Sequence, residues 1–338
     1  MTQQQTYTIA VDAMGGDRAP SDAVGGAVLA ARNGGVNVLL VGDQGAVQAE
    51  LARHHASGLP IQVVPSDGVV SEGEHPALAL RRKPNASIAV STGLVKAGRA
   101  NALVSMGSTG ATMAASVLAL GLFPGLERPT LGGPFIGLAP RTTIIDLGAH
   151  VDAKPVHMLN FAALGASFSR FYFQMESPRV GLLSVGAEEG KGNRQVQEAF
   201  ALFQASGLNF IGNVEGHELF ADKADVVVCD GFVGNVLLKY TEGLAAAAAR
   251  YLAQALGQDA PAVQHIRGLA EAAERGGGPL FGVNGIAIAG HGRSNAEGIA
   301  AAIALAKHCL NARLVETMRD DLAKVRANAG AEAEAADA

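Results

Sequence analysis

The sequence predicts an α/β protein with a mainly parallel sheet and helices on both faces, and three observations carry that expectation. Short continuous runs of Val, Ile, Leu and Ala alternate with longer helical stretches, as strands buried on both faces do. Strand after strand ends in Gly beside Asp, Ser, Asn, Lys or His. Gly makes up 43 of the 338 residues, nearly twice its usual share of about 7%, which fits many tight turns and close backbone approaches.

Strands are expected at 8–13 (TIAVDA), 36–41 (VNVLLV), 61–64 (IQVV) and 102–105 (ALVS). Between them lie 20–32, with Pro20 suited to a first helical turn, 45–55 and 87–98, each long enough for a crossover helix. This is the βαβ rhythm of a parallel sheet. Ala100 to Leu126 carries no charge and is long enough to span a bilayer. Ser105, Ser108, Thr109, Thr112, Ser116 and four glycines interrupt it, so it reads as buried strand, polar loop and helix.

The second half repeats the rhythm with strands at 142–147, 180–185, 209–212, 226–229 and 285–289. An Ala-rich helix is expected from Phe232 to Leu256 and another from Pro261 to Arg275, which GGGP at 276–279 stops. This pair departs from the alternation and reads as a helical projection at about 240–280 of one α/β catalytic domain, 1–326. The last helix is expected from about Asn295 to Val325. The tail, 327–338, is acidic without large apolar residues and is expected to be disordered.

Composition narrows the function. With 26 basic and 31 acidic residues, a net charge of −5 and no long basic block, general affinity for nucleic acid is excluded. Cys229 and Cys309 are far apart and form no metal-ligand spacing, so both are expected to be buried small hydrophobes in a reducing compartment. Asp12 inside the first apolar run excludes a secretory signal and argues for a cytoplasmic protein.

The polar residues concentrate in six loops: DAMGGD (12–17), SMGSTGA (105–111), DLGAHVDAKP (146–155), SVGAEEGKGN (184–193), DGFVGN (230–235) and GHGRSN (290–295). In a parallel sheet these share the carboxyl edge, where open α/β sheets bind ligands. Glycines let backbone N–H groups approach an anion, and a loop that opens a helix adds a helix N-terminus. Together they suggest a phosphate or carboxylate site. Taken singly, Asp146 and Asp230 also fit helix caps or ion-pair partners, Lys191 and Lys239 solvated charges, and His291 a core imidazole.

GxGxxG after the first strand, GxxxxGK[ST], HExxH and GxSxG are all missing, which removes the main support for nicotinamide, P-loop, zinc-protease and serine-hydrolase readings. No Ser/His/Asp or Cys/His nucleophile system is legible either. A mechanism without a protein nucleophile fits better.

The motifs IAVDAMGGDRAP, LRRKPNASI, GSTGA, DLGAHVDAKP, GLLSVGAEEGKGN, NFIGNVEG, ADVVVCDGFVGNVLLKYTEG and GHGRS resemble, in order and from about Thr8 to Glu316, the bacterial phosphate acyltransferases of phospholipid synthesis (PlsX type). The resemblance implies transfer of an acyl chain from acyl carrier protein to inorganic phosphate, giving an acyl phosphate for a membrane glycerol 3-phosphate acyltransferase. It also implies a fold like the isocitrate and isopropylmalate dehydrogenases and phosphotransacetylases, a homodimer and no organic cofactor or metal. Ser108 stands where the family usually has Asn, Asn295 where Asp is common, Arg194 where Glu is common, and Ala289 where Lys is frequent.

On that resemblance the roles fall as follows. Lys191 and the loops Gly107-Ser108-Thr109-Gly110, Gly192-Asn193 and Gly292-Arg293-Ser294 hold phosphate, with Gly231 and Gly234 beside them and Arg293 a second cation. Asn235 or His291 donates to the thioester oxygen as it becomes an oxyanion, and His291 or Lys191 protonates the departing sulfur. Asp12, Asp17, Asp146, Asp152, Lys154, Asp230 and Lys239 orient loops and charges behind these. Acyl carrier protein is acidic, and Arg81, Arg82 and Lys83 are the densest basic patch for its docking. The segment Phe232 to Phe281, with Leu280-Phe281 at its tip, serves either dimer contacts or a weak, reversible contact with anionic lipid at the inner face of the membrane. Two rivals stand beside this reading: a metal- and nicotinamide-dependent decarboxylating dehydrogenase of similar fold, and a non-catalytic protein that binds a membrane or partner.

Overall fold

The computed structural model describes residues 5–135, 139–274 and 277–336. The chain divides into two compact units, Met1–Gly125 with Glu274–Val315 and Leu126–Ala273 with Glu316–Ala338. In chain order the first stretch contains β1 (Tyr7–Asp12), α1 (Ser21–Asn33), β2 (Val36–Gly42), α2 (Gln44–Arg53), β3 (Ile61–Pro65), α3 (Pro76–Arg82), α4 (Ser87–Lys96), β4 (Ala102–Ser105) and α5 (Thr109–Leu120). The second unit follows with β5 (Thr130–Phe135), β6 (Ala139–Ile145), α6 (Pro155–Tyr172), β7 (Val180–Ser184), α7 (Arg194–Gln204), β8 (Phe210–Glu215), β9 (Val226–Val228), α8 (Gly231–Leu256) and α9 (Pro261–Glu274). The chain then returns to the first unit for β10 (Gly278–Phe281), β11 (Ile286–Ala289) and α10 (Ala296–Asn311), and α11 (Leu314–Ala336) belongs to the second.

In the first unit the strand order is β3-β2-β1-β4-β11-β10. β1 is parallel to β2 and β4, β2 to β3, and β4 to β11; β10 pairs antiparallel with β11. The chain moves outward from β1 to β3 and then crosses back to the far side of β1 to form β4. Right-handed crossovers running in opposite directions place their helices on opposite faces, and they make the β1–β4 junction a topological switch point. One face accordingly packs Ala10, Leu39 and Val41 against Leu94 of α4. Ile9, Val11, Val38 and Leu40 alternate with these and are equally buried.

In the second unit the order is β5-β6-β9-β7-β8, with β6, β9, β7 and β8 parallel and β5 antiparallel to β6. One face packs Phe135, Ile144, Val214, Val227 and Cys229 into a cluster joined by Leu237 of α8. The other receives α6, which is buried continuously from Met158 to Ser169. Gly165 allows that approach: a Cβ there would stand 2.7 Å from Val226 Cγ1 and 3.1 Å from Ile145 Cγ2.

Four readings of the sequence need correction. α9 is described to Glu274, the expected end at Arg275 and Gly276 lying outside the described residues, and Gly278–Phe281 forms β10, with Leu280 and Phe281 4% and 1% exposed. They belong to the core of the first unit and cannot be the tip of a lipid-binding projection. β5 was not anticipated at all, because TLGGPF lacks the β-branched signature of its neighbours. The expected last helix is two, broken where Arg313 takes φ 54°. α11 then continues to Ala336, through most of the tail expected to be disordered, since Ala and Glu are strong helix formers even without large apolar groups.

Among the described residues no single helix is long and apolar enough to cross a membrane. Ala100–Leu126 resolves into β4, the glycine loop and α5, as its serines and glycines implied.

Candidate active site

In the first unit three of the glycine loops interlock at the carboxyl edge. Asp12 ends β1 and is 3% exposed; its Oδ2 accepts from Ser105 Oγ at 2.8 Å across the β1–β4 switch point, and its Oδ1 from Met14 N at 3.2 Å. Burial pushes the Asp12 carboxyl up from its ordinary value, against these hydrogen bonds. The loop after β1 meets the loop after β4 so closely that a Cβ on Gly15 would stand 2.6 Å from Gly107 N. The loop after β11 joins them through Asp17 N to Gly292 O at 2.8 Å and Gly290 N to Ser105 O at 3.0 Å.

Much of the donor capacity of these loops is already used. Gly107 N donates to Ser105 Oγ at 3.1 Å, Ser108 Oγ caps α5 by accepting from Ala111 N, and Asn295 Oδ1 caps α10 by accepting from Gly298 N at 3.0 Å. Ser in place of Asn at 108 therefore still reaches its helix, at 3.4 Å, and Asn295 works as a cap. Thr109 and Gly110 stand in the first turn of α5, where backbone N–H groups lack intrahelical acceptors. His291 is exposed rather than a core imidazole, and Ser294 N donates to His291 O at 2.9 Å. Of the basic patch, Arg81 and Arg82 are exposed, while Lys83 Nζ is held by Glu74 Oε2 at 2.8 Å and Val69 O at 2.9 Å.

In the second unit the other three loops share the carboxyl edge of β6, β9 and β7. Asp146 follows β6 with no exposure, and its carboxylate collects Leu131 N at 3.3 Å, Ala149 N at 3.2 Å, His150 N at 2.7 Å and His150 Nδ1 at 3.3 Å. Burial alone would raise this carboxyl, but the hydrogen bonds outweigh it and hold it below its ordinary value. His150, 7% exposed, has the rings of His157 and Phe161 at centroid distances of 5.4 and 5.0 Å. Burial, and then the nearby His150, lower the His157 imidazole.

The DGFVGN loop opens α8 against this loop. Asp230 Oδ1 caps the helix by accepting from Val233 N at 2.8 Å, Gly231 N donates to His150 O at 2.8 Å, and Gly234 N donates to Asp230 O at 2.9 Å. A Cβ on Gly231 would stand 2.8 Å from Asp146 Oδ2, so glycine here serves close packing, and its N–H is committed to protein. Asn235 Nδ2 donates to Leu147 O at 3.3 Å.

After β7, Gly192 takes φ 101°, Asn193 Oδ1 caps α7 by accepting from Val196 N at 2.9 Å, and Lys191 is exposed beside them. Among the described residues the buried Ser184 Oγ has no hydrogen-bond partner, and a Cβ on Gly192 would lie 3.1 Å from it. Arg194, which stands where the resembled family commonly has Glu, is paired with Glu198 at 2.6 Å. Asp152 and Lys239 are exposed, and Lys154 Nζ lies 3.4 Å from Glu127.

His150 and Ser184 were not singled out from sequence. Both sit inside motifs that were, but the signal is tertiary: one depends on a carboxylate four residues back, the other on lying beneath a left-handed glycine. The cysteines pack as expected, with burial raising the Cys229 thiol and pushing that of Cys309 up to about 12. Among the described residues no group of three His, Cys, Asp or Glu side chains could hold a metal ion.

A family model described as fatty acid synthesis protein matches residues 7–317. The chain is 44% identical over 327 residues to the phosphate acyltransferase of Pelotomaculum thermopropionicum, covering 94% of this chain and 95% of that one. It is 42% identical over 332 residues to the phosphate acyltransferase of Gloeobacter violaceus, covering 94% and 98%. Among solved structures, EutD phosphotransacetylase from Staphylococcus aureus superposes with TM-score 0.58 at 18% identity over 94% of each chain. A phosphotransacetylase from Streptococcus pyogenes gives 0.56 at 17% identity, covering 92% and 94%. At these identities the structural likeness concerns the fold.

Proposed function

The chain belongs to the fatty acid synthesis protein family and is an acyltransferase that passes an acyl group to phosphate, and we propose that the donor is the thioester of acyl carrier protein and that the glycine loops hold the acceptor. Inorganic phosphate is a competent nucleophile as its dianion and a thioester is an activated donor, so the protein has to position and stabilise. A phosphate oxygen attacks the thioester carbon, the carbonyl oxygen becomes an oxyanion, the C–S bond breaks, and the sulfur takes a proton.

The single observation that carries the acceptor site is the Ser184 Oγ, which has no partner among the described residues, beside Gly192 at the loop that brings Lys191 to the start of α7. A buried hydroxyl without a partner, a lysine and the first amides of a capped helix are the donor set an oxyanion ligand needs. In this reading Lys191 and the Gly192-Asn193 turn hold phosphate, Asn235 donates to the oxyanion, and Lys191 supplies the proton. On the first unit Thr109, Gly110, His291 and Arg293 offer a second donor set, and on the second Gly231 and Gly234 contribute by close packing. Asp12, Asp17, Asp146 and Asp230 shape the loops that carry these groups.

The finer fold is taken to be that of the isocitrate and isopropylmalate dehydrogenases, with α8 and α9 as a projecting pair. The working protein is taken to be a cytoplasmic homodimer whose product goes to a membrane glycerol 3-phosphate acyltransferase. The test is direct: purified protein, carrier protein loaded with a long acyl chain, and inorganic phosphate, with acyl phosphate trapped as the hydroxamate. Product without added metal or nucleotide is expected. Reduced nicotinamide absorbance on addition of hydroxy acid, metal and nucleotide, with no acyl phosphate, would instead establish the dehydrogenase rival.

A further inference from the structure

The loop Leu147–His150 touches α8 at two places through two of its own carbonyls. His150 O accepts the Gly231 N–H, the first amide of the helix, and Leu147 O accepts from Asn235 Nδ2. That second contact consumes one of the two Nδ2 hydrogens of Asn235 and fixes the plane of its amide, leaving one N–H to donate elsewhere. The loop is in turn wound around a single buried group, because Asp146 receives the N–H groups of Ala149 and His150 and the Nδ1 of the His150 ring. Room for this winding comes from glycine: a Cβ on Gly148 would lie 3.0 Å from Asn235 Nδ2, and one on Gly231 would lie 2.9 Å from both N and O of His150.

We propose that Asp146 and His150 are positioning residues for acyl transfer: the carboxylate–imidazole contact sets the Leu147–His150 loop, and the loop aims the Asn235 amide at the acyl carbonyl. The inference rests on the reading that Asn235 donates to the oxyanion. It goes further in assigning a role through Asn235 to His150, which is 7% exposed. The part of the imidazole that matters is Nδ1, because that atom faces Asp146, while the rest of the ring lies against His157 and Phe161. An asparagine at 150 places its Nδ2 where Nδ1 stands and can make the same donation; an alanine cannot.

The experiment compares His150→Ala, His150→Asn, Asn235→Ala and the double variant His150→Ala with Asn235→Ala. Circular dichroism melts confirm that each is folded at the assay temperature. Displacing a catalytic group by a fraction of an ångström costs on the order of 10- to 100-fold in turnover, so His150→Ala should lose that much in kcat with KM for phosphate unchanged. His150→Asn should recover most of the loss. In the Asn235→Ala background, His150→Ala should cost less than about 3-fold, since the group it positions is gone. Loss in His150→Asn equal to that in His150→Ala, or full additivity in the double variant, overturns the positioning role while leaving Asn235 in place. Wild-type turnover in Asn235→Ala overturns the role of Asn235 itself, and the inference with it.

Discussion

Arg179 grips Asp225 with both prongs of its guanidinium, Nε to Oδ2 at 3.0 Å and Nη2 to Oδ1 at 2.9 Å, while its backbone N–H donates to Oδ2 at 2.7 Å. The pair ties the start of β7 to that of β9, at the edge opposite the glycine loops. Burial would raise the Asp225 carboxyl, but the Arg179 hydrogen bonds outweigh it and hold it below its ordinary value of 3.8. A depressed carboxylate stabilises the fold fully above that unfolded value and loses its contribution as pH falls through the folded one. Arg179→Met should cost about 2 kcal/mol near neutral pH by leaving a charged acceptor with fewer donors. In urea titrations the difference from wild type should shrink toward pH 3 and below. A constant difference across that range would mean that the arginine acts by packing alone.

Asp12 should show the opposite sign. Its folded value is raised, chiefly by burial, so between the ordinary 3.8 and the folded value the native state holds a proton that the unfolded chain has lost. Stability therefore falls as pH rises through that window. Asp12→Asn keeps an oxygen for Met14 N and a polar atom for Ser105 Oγ, and removes the titration. Its urea midpoint should vary less between pH 4 and neutrality than that of wild type, and an unchanged slope would assign the effect to another group.

Lys191→Ala and Asn235→Ala should each lower turnover by ~10² or more, about 2.7 kcal/mol in transition-state stabilisation, with melting unchanged. Ser184→Ala should mainly raise KM for phosphate, and steady-state kinetics with phosphate as the varied substrate separates the two effects. Near wild-type rates in all three would move the chemistry to another loop.

Arg81→Glu with Arg82→Glu should raise KM for the acyl carrier protein donor and leave a small acyl-pantetheine donor unaffected, and added salt should reproduce the change. Lys83 belongs to a different experiment. Its ammonium ties Glu74 and the Val69 carbonyl together, so Lys83→Glu should loosen the loop before α3 and harm both donors alike.

Phe232, Val236, Tyr240 and Leu244 follow one another at four-residue spacing along α8 and are 60%, 53%, 65% and 54% exposed. If this face is the contact of the proposed homodimer, Tyr240→Glu with Leu244→Glu should give a folded monomer in sedimentation equilibrium. If it meets lipid instead, wild type should float with anionic liposomes at low salt and the double variant should not.

The strands and crossover helices were legible to within a few residues because buried parallel strands have nearly continuous apolar sequences, as ALVS and VVVC do. What escaped lacked that signature. β10 begins inside GGGP, which read as an ending; seven-residue α3 is too short to show a period; the break at Arg313 has no glycine or proline to mark it. At the candidate site, residue types marked the loops but not how their polar groups are used. Ser108 and Asn193 read as ligand-binding polar groups, and each caps a helix; Asp230, which also fitted a cap, caps α8, and Asn295 caps α10. Asp146 stood out only as one acid among several, since its value comes from the backbone amides gathered around it.

The first unit is discontinuous in sequence, and this bears on its birth at the ribosome. β4 pairs with β1 on one side, but its other neighbour, β11, emerges from the ribosome some 180 residues later. Until then the growing chain presents β4 as a bare edge of apolar Ala-Leu-Val backbone, the kind of template on which nascent chains associate wrongly. The switch point where Asp12 meets Ser105 is assembled early and its third loop late, so the 286–315 segment acts as a clasp. A chain cut anywhere before it lacks the third of these glycine loops and keeps an open sheet edge.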